Sequence, residues 1–129
     1  ANAIWGGGGD DFLYGADGGD LLAGGGGDDF LAGGEGDDVY VFYGGESGFD
    51  VVSDALGTNS ARLEGFTATT EAIGGVDGSG DLTVFAHDPA ASFVLFQPLF
   101  RIEGYSASPD SFAGVEIGGL FVTTDDLLA

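Results

Sequence analysis

The feature that most constrains this chain is a period of nine residues near its N-terminus. Residues 6–14, 15–23, 24–32 and 33–41 read GGGGDDFLY, GADGGDLLA, GGGGDDFLA and GGEGDDVYV. Positions one and four are glycine, position six is aspartate and position eight is a large apolar residue; the second position is glycine or, at Ala16, alanine. A fixed short period predicts a stack of similar units, each packed mainly on its neighbours.

The residue types within one repeat predict how that unit folds. Six glycine-rich residues form a turn, because glycine adopts the positive φ angles that tight turns need. Three residues then form a strand, whose middle residue points inward because side chains alternate along a strand. Two repeats complete one coil, so repeats n and n+2 are predicted to stack as parallel strands about 4.8 Å apart.

This stacking places carboxylates above one another, Asp11 over Asp29 on one rim and Asp20 over Asp38 on the other. Two carboxylates about 5 Å apart repel by roughly 1 kcal/mol in bulk water, and by more near a protein surface. The chain has 22 acidic residues and two basic ones, with a net charge of −20. A bound cation would offset the repulsion. Calcium accepts six or more carboxylate and carbonyl oxygens and fits better than magnesium, which retains its water.

The repeats resemble the GGxGxDxUx nonapeptides of RTX proteins, which form a calcium-loaded parallel β-roll. The resemblance implies that one turn supplies the carbonyls of positions two and four with its aspartate. The turn two repeats later supplies the carbonyls of positions one and three with its own aspartate. The first implied ligand set is Gly7, Gly9 and Asp11 with Gly24, Gly26 and Asp29; the second is Ala16, Gly18 and Asp20 with Gly33, Glu35 and Asp38. The third is Gly25, Gly27 and Asp29 with Asp50, where an insertion near Ser47 alters the last turn. Two or three calcium ions are therefore expected.

The second half of the chain is predicted to be rich in strands. The predicted strands are Asp50–Asp54, Ala61–Phe66, Asp81–Ala86, Ser92–Phe96, Val115–Ile117 and Leu120–Thr123. Turns are predicted at Gly74-Gly75 and at Gly78-Ser79-Gly80. A final helical turn capped by Thr124 is also predicted. The order of these pieces resembles the haemolysin-type region that follows RTX repeats in type I secreted proteins. We therefore predict an all-β chain, with a parallel β-roll in residues 1–53 and a β-rich C-terminal capping region in residues 54–129.

Other motifs give weaker indications of chemistry. The segment from Asp77 to Asp81, with Asp88 further on, resembles part of an EF-hand loop, but Leu82 stands where that loop needs glycine. A hairpin turn is the favoured interpretation. His87 is the only histidine, and no nucleophile motif accompanies it, so the chain is not expected to be an enzyme.

We expect ordinary roles for the remaining charged and aromatic residues. The acidic residues after position 50 show no periodic order and are predicted to be surface charge, while Arg62 and Arg101 pair with nearby acids. Four aromatic residues could bind a sugar face but are more simply expected to cover the end of the roll: Trp5, Tyr14, Tyr43 and Phe49.

Composition excludes several classes of protein. So acidic a chain repels nucleic acid and anionic lipid, and the absence of cysteine excludes a disulfide framework and a thiolate zinc site. The longest apolar stretch is interrupted by Gln97 and Pro98, so no membrane span is predicted. The chain opens at Ala1 without an initiator methionine or a recognisable signal peptide, which is typical of a processed product or a fragment.

These observations favour a non-enzymatic module that binds calcium and folds on calcium binding outside the cell, as part of a type I secreted bacterial protein. One alternative is a self-assembling, calcium-dependent subunit of a surface layer, sheath or extracellular filament, which would associate through the ends of the roll or through the cap. Another is the terminal module of an RTX adhesin or secreted hydrolase. All three interpretations place the protein outside the cell or at its surface.

Overall fold

The computed structural model describes residues 1–44, 48–66, 71–87 and 96–128. Within these ranges twelve strands form two six-stranded sheets. The strands are β1 (Ala3–Gly8), β2 (Phe12–Asp17), β3 (Leu21–Gly26), β4 (Phe30–Glu35), β5 (Val39–Tyr43), β6 (Asp50–Val52), β7 (Asn59–Glu64), β8 (Glu71–Val76), β9 (Leu82–His87), β10 (Phe96–Ile102), β11 (Phe112–Ile117) and β12 (Leu120–Thr123). Two 3₁₀-helices (Tyr105–Ala107 and Pro109–Ser111) and the helix α1 (Thr124–Leu127) complete the structure. More than half of the described residues are in strands, and the all-β prediction is confirmed.

The repeats alternate between the two sheets, as the ninefold period predicts. One sheet has the order β1-β3-β5-β7-β11-β12, and the other has the order β2-β4-β6-β10-β9-β8. Parallel partners in the repeats lie 18 residues apart, since Phe12 pairs with Phe30 and Leu13 with Leu31. The prediction that repeats n and n+2 stack as parallel strands is confirmed.

The strands extend further into the turns than predicted. Strand β2 has six residues rather than three, and its pairing with β4 continues at Ala16 with Gly34 and at Asp17 with Glu35. The prediction of three-residue strands was wrong because consecutive coils keep the same register through the first half of each glycine-rich turn.

Both sheets continue beyond residue 53. Strand β7 is parallel to β5, β11 is parallel to β7 and β10 is parallel to β6. Antiparallel strands then complete the sheets, with β12 next to β11 and the β8–β9 hairpin next to β10. The second half thus adds parallel strands to the roll before antiparallel pairing ends it.

The predicted elements of the second half were partly correct. Leu120–Thr123 is the strand predicted, while β8 and most of β10 were missed. Residues 92–95 of the predicted strand Ser92–Phe96 lie outside the described residues. The helical turn is capped by Thr123 rather than Thr124, because the Thr123 hydroxyl accepts the Asp126 N–H.

The core lies between the two sheets, where the position-eight side chains point inward. Leu22, Leu31 and Tyr40 are each 0% exposed, and burial of each such side chain contributes about 1.5–3 kcal/mol. Further along, the rings of Phe42 and Phe100 stack with centroids 4.1 Å apart. This continuous core carries the repeat geometry into the second half.

At the far end, α1 contacts β8, β11 and β12, and so touches an outer strand of each sheet. Its Leu127 is buried. The helices in the described ranges are at most four residues long, and none is long and apolar enough to cross a bilayer.

Candidate metal centre

Position six of the repeats forms two ladders of side chains that run across consecutive coils. The first ladder consists of Asp11, Asp29 and Asp50, and the second of Asn2, Asp20, Asp38 and Asn59. In each ladder, the backbone N–H of one residue donates to the side-chain Oδ1 of the next. The first ladder has N···O distances of 2.8 Å and 2.9 Å. The second has distances of 2.7 Å and 2.8 Å after an initial bond from Asn2 N–H to Asp20.

The second oxygen of four of these carboxylates is buried without a hydrogen-bond donor. These atoms are the Oδ2 oxygens of Asp11, Asp20, Asp29 and Asp38. Asp20 and Asp29 are 2% exposed and Asp38 is 1% exposed. A buried charged oxygen without a partner is strongly unfavourable. Four equivalent ones at a regular spacing therefore indicate that a cation belongs beside them.

The unpartnered oxygens lie close to the glycines at position one of the repeats. A Cβ atom built on Gly6 would lie 2.6 Å from both Asp11 Oδ2 and the Gly24 carbonyl oxygen. A Cβ on Gly15 would lie 2.5 Å from Asp20 Oδ2 and 2.7 Å from the Gly33 carbonyl. A side chain does not fit at such distances. Glycine at position one therefore allows a carboxylate oxygen and a carbonyl oxygen of the next coil, the two ligand types that calcium prefers, to lie close together.

The carbonyls of positions two and four also point toward the next coil. A Cβ on Gly25 would lie 2.0 Å from the Gly7 carbonyl oxygen, and one on Gly27 would lie 2.4 Å from that of Gly9. In the same way, a Cβ on Gly34 would lie 2.2 Å from the Ala16 carbonyl oxygen, and one on Gly36 would lie 2.4 Å from the Gly18 carbonyl oxygen. At position three, the carbonyls of Gly26 and Glu35 accept the Gly9 and Gly18 N–H groups, at 2.9 Å and 2.7 Å, and each keeps a second lone pair.

The structure therefore brings together the residues of the first two predicted sets, although which atoms bind an ion stays a prediction. In the third set, the Asp29 N–H donates to Asp50 Oδ1, and a Cβ on Gly48 would lie 1.9 Å from the Gly27 carbonyl. Residues 45–47 of that turn lie outside the described residues. In the part of the chain that is described, no three His, Cys, Asp or Glu side chains converge, which fits sites built from two carboxylates and several carbonyls.

The neighbouring carboxylates at position five have a different role. Asp10 Oδ1 accepts the Asp28 N–H at 2.9 Å, and Asp28 Oδ1 accepts the Phe49 N–H at 2.8 Å. Asp37 accepts the Thr58 N–H at 2.8 Å. These side chains reach forward to the following coil, whereas those of position six reach back to the preceding one. They bind the coils together on the outside of the turns.

Sequence reasoning missed a further turn that stacks on the repeats. Gly57, Thr58 and Asn59 continue positions four to six, because Thr58 bonds to Asp37 and Asn59 to Asp38. The spacing of 21 residues equals that between Asp29 and Asp50. This shared offset is the signal in the sequence that could have revealed the turn.

Asp54 lies at position one of this additional turn and is 9% exposed. Its Oδ2 accepts a hydrogen bond from the Tyr40 hydroxyl at 2.5 Å, and that hydroxyl accepts the Gly33 N–H at 2.8 Å. Burial raises the pKa of Asp38, and the carboxylate of Asp54 raises it further. Burial and the bond to Asp54 also raise the pKa of Tyr40. The prediction that acids after position 50 are surface charge was wrong for Asp54 and also for Asp81, which is 9% exposed.

The remaining charged motifs have structural partners. Asp81 accepts the Gly104 N–H at 2.8 Å and lies 3.5 Å from Arg101 Nε. Arg62 Nε lies 3.8 Å from Glu116, so the predicted pairing of both arginines is confirmed. The segment at Asp77 is the turn of the β8–β9 hairpin, as predicted, and the Asp77 carboxylate accepts the Ser79 and Asp81 N–H groups. Asp88 lies outside the described residues.

The prediction for two aromatic residues was wrong. Trp5 and Tyr14 are each 60% exposed, so they do not cover the end of the roll. Both lie at position nine, next to the inward-facing position eight, and alternation along the strand turns them toward solvent.

Comparison with known families agrees with this geometry. A family model of the RTX calcium-binding nonapeptide repeat, in four copies, matches residues 5–40 and 14–52. No curated protein matches the chain.

Proposed function

We propose that this chain, whose residues 5–52 are RTX calcium-binding nonapeptide repeats, is a module that folds on calcium binding outside the cell as part of a type I secreted bacterial protein. RTX repeats are structural rather than catalytic, and they occur in secreted proteins. The observation that supports calcium-dependent folding is the row of four buried, unpartnered Oδ2 oxygens.

The free chain has two reasons to stay unfolded. Its 27 glycines lose more backbone freedom on folding than other residues do, and fixing one residue costs about 1–2 kcal/mol. Folding also buries the carboxylates of Asp20, Asp29 and Asp38, which is unfavourable for ionised groups without counter-charge. Secretion through a narrow channel requires such an extended chain.

Bound calcium supplies positive charge and oxygen coordination to the gaps between stacked turns. In the folded roll, the carboxylate Oδ2 and a carbonyl of the following coil already lie close together beside the same glycine. Because this arrangement requires the stacked turns of the folded state, ligand binding is coupled to folding. A site filled at 100 times its Kd stabilises the folded state by about 2.7 kcal/mol. Extracellular calcium modules bind in the range of about 10⁻⁴–10⁻³ M, so the roll is expected to form after export.

Circular dichroism of the full chain during a calcium titration tests this proposal. We expect lower β content in chelator than in calcium, a cooperative gain as calcium is added and a much weaker response to magnesium, which retains its water. Equal β content with chelator and with saturating calcium would overturn the proposal.

A second candidate function is self-association, and the outer strands of the roll favour it. Strands β1 and β2 each lie at the edge of a sheet, and such edges can pair with another chain. Phe12 is 71% exposed there, and Trp5 and Tyr14 are 60% exposed. Sedimentation velocity over a range of protein concentrations in calcium would reveal assembly. A monomer at every concentration would exclude it, and Phe12→Ser should weaken any assembly observed.

A further inference from the structure

A buried carboxylate oxygen without a hydrogen-bond donor also lies in the fourth nonapeptide, whose next turn on the same rim is outside the matched repeats. The Oδ2 of Asp38 has no hydrogen-bond donor, and Asp38 is 1% exposed. This oxygen lies against Gly33 of its own turn, where a Cβ would be 2.0 Å away, as Asp11 Oδ2 lies against Gly6. Asp11 Oδ2 also approaches the Gly24 carbonyl of the next coil, and by this analogy we take Asp38 Oδ2 to face the next turn on the same rim. That turn is residues 54–59, outside the matched range of 5–52.

The turn of residues 54–59 stacks tightly on the turn of residues 33–38. The Asp38 N–H donates to Asn59 Oδ1 at 2.8 Å, and the Ser60 N–H donates to the Asp38 carbonyl at 2.9 Å. A Cβ on Gly57 would lie 1.8 Å from the Gly36 carbonyl oxygen, so that carbonyl also points into the gap. One side of the gap therefore has the same donors as the repeats.

The other side of this gap differs from the repeats. The Asp54 carbonyl, at position one, accepts the Ser111 hydroxyl at 3.2 Å. The Leu56 carbonyl, at position three, accepts Asn59 Nδ2 at 2.9 Å. Each of these two backbone oxygens thus has one lone pair taken by a side-chain donor, and Asn59 brings no negative charge. The residue that brings a carboxylate to this turn is Asp54, where the repeats have glycine.

Asp54 is held in place by the core. Its Oδ2 accepts the Tyr40 hydroxyl at 2.5 Å, and Tyr40 is 0% exposed. Gly33 connects this carboxylate to Asp38, since the Gly33 N–H donates to the Tyr40 hydroxyl at 2.8 Å and a Cβ on Gly33 would lie 2.0 Å from Asp38 Oδ2. Two buried carboxylates at one gap repel each other, and a cation between them offsets that repulsion.

We propose that Asp38 and Asp54, with the Gly36 carbonyl, form an additional calcium site between the turns of residues 33–38 and 54–59. The inference rests on the proposed function. Tyr40 is a positioning residue that orients the Asp54 carboxylate. With fewer backbone donors than the repeats have, this site takes more of its ligands from water and fills last in a titration.

Calcium stoichiometry of the full chain, measured by equilibrium dialysis and calorimetry, tests the proposal. Asp54→Asn should bind one ion fewer than the natural chain and lose the weakest binding step. Asp110→Asn removes the same charge from an exposed position and should leave the stoichiometry unchanged. If the Asp54→Asn variant retains the natural number of ions, the proposal is overturned. If the natural chain binds no calcium, the proposed function itself fails.

Two further variants keep the test informative if Asp54→Asn fails to fold. Asn59→Asp places a second charge at the same gap and should tighten the weakest step about tenfold without changing the number of ions. Tyr40→Phe should weaken that step and selectively reduce tyrosine-sensitised terbium emission from the site, while the tighter steps stay within twofold. An unchanged weakest step in both variants would overturn the proposal.

Discussion

The two halves of this molecule share the same two sheets but handle buried charge differently. In residues 6–41, four buried carboxylate oxygens lack a protein donor. In the second half, the Asp81 carboxylate pairs with Arg101 and accepts a backbone N–H. The Asp77 carboxylate accepts a backbone N–H of the turn that contains it. One β architecture therefore joins a region that needs an external cation to one whose described acidic side chains Asp77 and Asp81 find partners within the chain.

We expect calcium removal to destabilise the repeats more than the second half of the molecule. In chelator, backbone amides of residues 6–41 should exchange at least about 100-fold faster, the factor that corresponds to one site filled at 100 times its Kd. Amides of the β8–β9 hairpin should change much less, because its turn is closed by Asp77. Hydrogen exchange with mass spectrometry measures both. Equal acceleration in the two regions would show that they fold as one cooperative unit.

Within the repeats, the stability lost when a glycine is replaced by alanine depends on whether a preceding coil packs against that glycine. A Cβ at Gly25 would lie 2.0 Å from the Gly7 carbonyl, while one at Gly7 has nothing within 4 Å, and both residues have positive φ. Gly25→Ala should destabilise the calcium-loaded protein by about 3 kcal/mol, from steric overlap and backbone strain together. Gly7→Ala should lose only about 1 kcal/mol, from strain alone. Denaturant melts in saturating calcium measure the difference, and equal losses would contradict the stacked geometry.

The first ladder can be weakened without a steric change. Asp29→Asn keeps the oxygen that accepts the Asp11 N–H but removes the charge from a carboxylate that belongs to two predicted ligand sets. The calcium midpoint of folding should rise about tenfold, which corresponds to about 1.4 kcal/mol. Asp17→Asn is the control, because Asp17 is exposed. A midpoint that moves equally in both variants would point to general charge rather than to a site.

The smallest expected effect concerns Ala16, which stands at position two, where the other three repeats have glycine. Ala16 has a φ of 79°, a conformation that is unfavourable for alanine by about 1–2 kcal/mol. Ala16→Gly should therefore stabilise the folded roll by up to about 1 kcal/mol, after the greater freedom of glycine in the unfolded chain is counted. A thermal melt in calcium measures this change, and a loss of stability would contradict the assigned backbone conformation.

The roll could be predicted from the sequence because its constraints are local and recur. Residues nine apart have the same role, and residues 18 apart stack, as Leu13 does on Leu31. No such signal indicates that β10 joins β6 or that β11 joins β7, since these pairings join segments about 50 residues apart. The role of Asp54 was also hidden, because it depends on the distant hydroxyl of Tyr40.

The prediction of a turn from paired glycines was wrong where glycine allows close packing within a strand. Gly74 and Gly75 were predicted to form a turn, but they lie within β8. A Cβ on Gly74 would lie 3.0 Å from a Leu82 methyl group and 3.3 Å from the Leu127 Cβ. A side chain at this position would press on Leu82 and on α1, a contact that the local sequence does not reveal.

The opposed directions of the position-five and position-six side chains have a mechanical consequence. Asp10 reaches forward to Asp28, while Asp29 reaches back to Asp11, so a slip of one coil past another would break both connections at once. The stack therefore resists shear but offers little resistance to peeling, in which the contacts of one coil break before those of the next are loaded. Under tension the roll would unfold one coil at a time. Each coil would release 18 residues, which extend to about 60 Å.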